Sequence, residues 1–213
     1  MAGIVITIAQ QKGGAGKTTL AAHLAIAWAG QGRRVALVDI DPQGSLAAWH
    51  ALRAERLGNG RTGLDFAAIT GWRTAAEVER RAGNHDIVVV DSPPHAETEA
   101  KLAIRAANLV ILPVQPSPMD VWATRPTLDL AAQEKVPALL VLNRVPPRAN
   151  LTETMLAKLA ELGAIVAEAR IGNRVALATA LAEGLGITEA AASSRAAEEI
   201  TAVAAEIARR AKG

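Results

Sequence analysis

The sequence predicts an α/β fold, a doubly wound and mainly parallel sheet with helices on both faces. Three observations carry this. Short runs of Val, Ile and Leu alternate with helix-forming stretches along the chain, the pattern of strands joined by helical crossovers. Runs such as Ile4 to Ala9 and Ile87 to Val90 are apolar at successive positions, as strands covered on both faces must be. A glycine-rich stretch, Gly13 to Gly16, joins the first apolar run to the first helical one. The 213 residues suit one domain with a full core, residues 1–213.

In order, Ile4 to Ala9 reads as a strand and Thr18 to Ala29 as a helix that stops near Gly30 and Gly32. Arg34 to Val38 is the next strand, broken by Pro42 and Gly44, and Ser45 to Leu57 the next helix. Asn59-Gly60 marks a turn before a short edge strand at Leu64 to Thr70. Thr74 to Ala82 is an amphipathic helix with Glu77, Glu79, Arg80 and Arg81 on its solvated face. Asp86 to Asp91 is a buried strand running into Ser92-Pro93-Pro94, with His95 in that loop given no catalytic role. Ala96 to Ala107 reads as a helix and Asn108 to Val114 as a strand that Gln115 to Pro118 breaks. Asp120 to Glu134 is helical, with Pro126 disturbing its first turn and Trp122 expected in core or groove packing. Then come a strand at Ala138 to Leu142, a helix at Thr152 to Leu162, a short strand at Ile165 to Ala169, and a loop from Arg170 to Val175 leading into a helix. Ile200, Val203, Ala204 and Ile207 recur at helical spacing in a terminal helix from Ser193 to Lys212.

Composition removes several classes of function. The chain has no cysteine, which excludes disulfides, thiolate zinc sites and iron–sulfur clusters. It has no signal-peptide pattern and no apolar window long enough to span a bilayer, so the expected location is the cytoplasm. The formal net charge of +2 permits contact with nucleic acid without demanding it.

The chemistry concentrates where strands end. Gln11-Lys12-Gly13-Gly14-Ala15-Gly16-Lys17-Thr18-Thr19 lies between a strand and a helix, where backbone N–H groups can wrap a polyphosphate. Lys17 can reach terminal phosphates and the Thr18 hydroxyl can hold Mg²⁺. Asp39-Ile40-Asp41-Pro42-Gln43-Gly44 ends the second strand and Asp91 ends the buried run from Ile87. In a doubly wound sheet these carboxylates face the glycine loop, where hydrolysis needs an oriented water and oxygen ligands for a metal.

The loop lacks the usual glycine at Gln11 and carries a second lysine, Lys12. In this it resembles the deviant Walker A motif of the ParA/MinD group of ATPases, a P-loop NTPase fold. The resemblance extends to the D-x-D-P-Q-G element at 39–44 and the Walker B and switch II segment at 86–94, and weakens beyond 145. It implies ATP and Mg²⁺ as cofactors, with Gly13, Gly14, Ala15, Gly16, Lys17, Thr18 and Thr19 around the phosphates. It implies Thr18, Asp39 and Asp91 at or near the metal, Asp41 on the attacking water, and Asn143 against the adenine edge. Lys12 would cross a homodimer interface to the partner's nucleotide. The implied activity is weak ATP hydrolysis driving a dimerisation switch that moves DNA or another large cargo. A ParB-like protein would stimulate it, and the ATP state would bind DNA non-specifically on the nucleoid. The loop begins within the first dozen residues, so an N-terminal DNA-binding extension is not expected. Two alternatives stay open: a MinD-like membrane-cycling ATPase and a nucleotide-bound adaptor that does not hydrolyse. Against the first, the terminal helix is alanine-rich, lacks aromatics, and carries Glu198, Glu199 and Glu206. Its Arg195, Arg209, Arg210 and Lys212 are candidate DNA contacts.

Overall fold

The computed structural model describes residues 2–94, 97–147 and 150–212; His95 and the expected helix start at Ala96 lie outside them. The strands are β1 (Ile4–Ile8), β2 (Val35–Asp39), β3 (Asp65–Ala68), β4 (Ile87–Asp91), β5 (Leu109–Val114), β6 (Ala138–Leu142) and β7 (Ile165–Val166). Every pairing is parallel, and the order across the sheet is β3-β2-β4-β1-β5-β6-β7. The helices are α1 (Lys17–Gly30), α2 (Ser45–Leu57), α3 (Thr74–Ala82), α4 (Glu97–Arg105), α5 (Pro118–Gln133), α6 (Asn150–Glu161), α7 (Val175–Ala182), α8 (Ile187–Ala190) and α9 (Arg195–Arg210).

The unbroken apolar runs are explained by which face each residue meets. Ile6, Ile8, Leu37, Val89 and Ile111 join α1, α2 and α7 to α9 in one core. Their neighbours Val5, Val38, Val88, Val110 and Leu112 pack under α3 to α6 on the other face. The doubly wound sheet is therefore as predicted. Helix α1 is buried along most of its length, so it is apolar all round instead of on one stripe. Its Trp28 indole donates to the Ala204 carbonyl at 3.2 Å. Ile200, Val203, Ala204 and Ile207 of α9 are buried against it, as their spacing predicts.

Register positions the site. Ile8 is level with Asp91, and Asp39 is also level with Asp91. The strand feeding the glycine loop thus ends beside two carboxylate-bearing strands. Since β1 lies between β4 and β5, the chain reverses its winding there, and the crevice beyond the strand ends is the ligand position of such sheets.

Four local expectations are corrected. Arg81, expected on the solvated face of α3, is buried and paired with Asp65 and Glu77. Helix α5 begins at Pro118, not Asp120, because Ser117 caps it by accepting from the Asp120 N–H and proline suits the first helical position. Pro126 sits inside that continuous helix and does not interrupt its start. Trp122 is 66% exposed instead of packed in a core or groove.

Candidate nucleotide-binding site

Glycine is required at two loop positions by backbone shape. Gly14 has φ of 76° and Gly16 of 94°, in the region that penalises a Cβ. At Gly16 a Cβ would also lie 2.5 Å from Asn143 Nδ2. Around Gly13 nothing lies within 4 Å of such an atom, so close approach to the protein does not dictate that glycine. Gly16 is the N-cap of α1 and offers no side chain to its first turn. Those backbone N–H groups are left for an anion, as at other helix N-termini.

The loop residues Gly13, Gly14, Gly16, Lys17, Thr18 and Thr19 form one end of a 560 Å³ crevice. Asp41, Gln43, Ser45, Trp49, Arg144, Leu181 and Ala182 are also among its lining. Lys17 is only 7% exposed. Burial lowers its pKa, opposed by the charges of Asp91 and Asp41. The Thr18 hydroxyl donates to Asp91 Oδ2 at 2.7 Å. Burial pushes the Asp91 carboxyl up to about 7, against the Thr18 hydrogen bond. Its other oxygen, Oδ1, is buried with no hydrogen-bond partner among the described residues. An unsatisfied carboxylate oxygen beside a threonine hydroxyl fits a divalent cation. No group of three or more His, Cys, Asp or Glu side chains among the described residues could hold a metal alone. Phosphate oxygens would have to complete the shell, as is usual for Mg²⁺.

The other predicted residues divide by what their side chains touch. Asp39 accepts from the Asp41 N–H through Oδ1 and from the Ala47 N–H through Oδ2, both at 3.0 Å. It therefore shapes the turn that presents Asp41 to the crevice. Burial is the main cause of its raised pKa. Asp41 accepts from the Gln43 N–H at 2.9 Å. Asn143 donates from Nδ2 to the Ala15 carbonyl at 2.9 Å and accepts the Arg144 N–H at 3.0 Å. Its amide props the loop from below and does not line the crevice. Ala15 is buried. Lys12 also lies outside the crevice lining: its Nζ donates to Asp120 Oδ2 at 2.6 Å.

Four contributors have roles that escape sequence reasoning. Gln115 and Arg144 both donate to the Gly14 carbonyl at 3.2 Å. Gln115 directly follows β5 and Arg144 lies two residues beyond β6, so the strand-end rule that selected Asp39 and Asp91 could have found them. Asp120 closes the 114–120 stretch that resembles the P-x-x-P-S segment near the dimer interface of ParA-like proteins; only its pairing with Lys12 was not foreseen. Trp49 carries no signal, since a helical tryptophan is ordinarily core.

Comparison with known proteins agrees with this geometry. A model of the CobQ/CobB/MinD/ParA nucleotide binding domain matches residues 6–187. The carboxysome distribution maintenance protein A of Halothiobacillus neapolitanus is 30% identical over 211 residues, covering 95% of each chain. Its namesake from Gloeobacter kilaueensis is 38% identical over 189 residues, covering 87% of this chain and 84% of the relative. The ATP complex of a Cyanothece McdA variant superimposes with a TM-score of 0.80 at 16% identity, over 98% of this chain and 96% of that one. The glycine loop, the aspartates level with it and the match over most of its length together make this chain a member of the CobQ/CobB/MinD/ParA family of nucleotide-binding proteins.

Proposed function

We propose that this protein is an ATP-driven dimerisation switch that positions a large intracellular cargo. One observation carries the two-subunit reading: Lys17 lies in the crevice, whereas Lys12 is held outside it by Asp120. A loop lysine that does not face its own chain's crevice can serve another copy's once it leaves its partner Asp120. In this reading the loop N–H groups and Lys17 bind the phosphates, and Thr18 and Asp91 hold Mg²⁺, which neutralises charge on the phosphates. Asp41, fixed by Asp39, orients the attacking water. Lys12 leaves Asp120 and completes the partner's site, which ties nucleotide state to dimerisation.

The relatives named for carboxysome distribution favour a large protein assembly as cargo, with DNA as the track. Non-specific DNA binding in the ATP state, stimulation by a ParB-like partner and residence on the nucleoid belong to the same reading. A membrane track is disfavoured because the apolar face of α9 is used inside the protein, and no described helix is long and apolar enough to cross a membrane.

The test is sedimentation with and without ATP, alongside phosphate release. Lys12→Ala is expected to lose ATP-dependent dimerisation and hydrolysis while the monomer still binds nucleotide. An unchanged dimer would remove the cross-subunit role. Co-sedimentation with liposomes but not with DNA would replace the DNA track with a membrane.

A further inference from the structure

We propose that Arg144 is a second phosphate-binding cation of the nucleotide site, acting beside Lys17 within the same chain. This rests on the nucleotide reading above and extends it to a residue outside the glycine loop.

The backbone comes first. Arg144 follows β6 with φ of 52°, and Lys135 is the only other described non-glycine residue with positive φ. Lys135 closes the turn after α5, where its N–H donates to the Ala132 carbonyl; helix ends commonly use that conformation. Arg144 ends no helix. Its left-handed conformation is held by its own N–H donating to Asn143 Oδ1, while Asn143 Nδ2 is fixed on the Ala15 carbonyl. Strained non-glycine backbone that its surroundings enforce is characteristic of ligand sites.

The side chain then lies across the loop. Arg144 lines the crevice with Lys17, and Nη1 reaches the Gly14 carbonyl at 3.2 Å. That carbonyl already accepts from Gln115 Nε2 at 3.2 Å, so Arg144 is not needed to satisfy it. A guanidinium has five donors and a permanent charge. Among the described residues no carboxylate pairs with Arg144, whereas Arg53, Arg81, Arg105, Arg174 and Arg210 each have one. Charge and donors are thus left over at the rim of a site built for an anion. The ligand chemistry that uses both is a polyphosphate, which a guanidinium can grip through two oxygens.

Isothermal titration of ATP into the wild type, Arg144→Gln, Arg144→Lys and Lys17→Ala decides the matter. Glutamine stays polar but removes the charge and most of the donors, while Gln115 still serves the Gly14 carbonyl. Arg144→Gln is expected to weaken ATP binding about tenfold, the scale of one charge-assisted hydrogen bond. Lysine should recover part of the loss, and the deficit of the glutamine variant should shrink as salt is raised. The thermal midpoint without nucleotide should not move. Wild-type affinity in Arg144→Gln beside lost binding in Lys17→Ala would overturn the role of Arg144 alone. So would a deficit that salt does not diminish. Unchanged binding in both variants would overturn the nucleotide site itself and Arg144 with it.

Discussion

Lys12 and Lys17 share one loop but sit in different electrostatic settings. Lys17 is buried within the field of Asp91 and Asp41, while Lys12 is partly exposed and tied to a carboxylate that is 4% exposed. Asp120 is further fixed by the Ser117 hydroxyl, which donates to the same Oδ2. If Lys12 left, a buried charge would lose its cation, which is costly in a deep site. Solvent at Lys12 reduces that cost to about 1–2 kcal/mol. Any transfer of Lys12 to a second subunit works against this restraint. Asp120→Asn keeps the size and a hydrogen-bond acceptor for Ser117 but releases the lysine. It is expected to tighten the ATP-dependent dimer roughly tenfold by sedimentation, the equivalent of about 1.4 kcal/mol. Combining it with Lys12→Ala should abolish that gain. A weakened dimer in Asp120→Asn would instead place the aspartate in the interface. At this scale the glycines, Lys17, Thr18 and the three aspartates were legible because strand ends and motif spacing locate them. Lys12's restraint was not, since its partner lies 108 positions away. Asn143 was expected against an adenine edge, and its contact with the Ala15 carbonyl of the loop was not foreseen.

Elements follow the same division between patterned and local signals. Strands β1, β4 and β5 were legible because they are apolar on both faces, helix α2 because Gly44 and Gly58 bound it, and helix α3 because it is amphipathic. The start of α5 was misread because Pro116-Ser117-Pro118 looks like a breaker, although a serine cap followed by proline is a start signal. Ser117→Ala should cost about 1 kcal/mol in urea unfolding, with more if the loss of its hydroxyl also unsettles Asp120. Helix α8 was not foreseen, as it spans only Ile187–Ala190, too short to show a period. Its placement depends on Gly186, where a Cβ would lie 2.5 Å from Ile26 Cγ2 of α1. Gly186 has φ of −89°, which any residue can adopt. Gly186→Ala therefore tests packing alone, without backbone strain. It is expected to destabilise by about 1–3 kcal/mol, read as a lower urea midpoint with an unchanged slope. A neutral outcome would mean that α8 can shift away from α1 without loss.

Across the whole molecule, one sheet face carries the loop helix and the late helices that close around the site, and a single imidazole joins them. His23 of α1 is fully buried. Its Nδ1 accepts from the Ile187 N–H of α8 at 3.1 Å, which leaves Nε2 to donate to the Leu177 carbonyl of α7 at 3.2 Å. Only neutral imidazole can do both. Protonation would set an N–H against an N–H, and burial already pushes the pKa from 6.5 down to about 4. The folded state thus resists a proton that the unfolded chain accepts. Its contribution is fully present above pH 6.5, falls as pH drops toward 4, and is flat below that. The shift corresponds to about 3 kcal/mol. Asp91 acts in the opposite sense, because its raised pKa makes the folded state take up protons in an overlapping window. The wild-type profile alone is therefore a poor reporter, and the informative quantity is its difference from His23→Gln. Glutamine can also donate and accept but does not titrate, and Asp91 contributes equally to both proteins. Urea unfolding from pH 7 to 4 should show the wild type losing about 3 kcal/mol relative to the variant as pH falls. Parallel profiles would mean that the imidazole gains a proton in the folded state as readily as in the unfolded one. The joint between α1, α7 and α8 would then not depend on its neutral form.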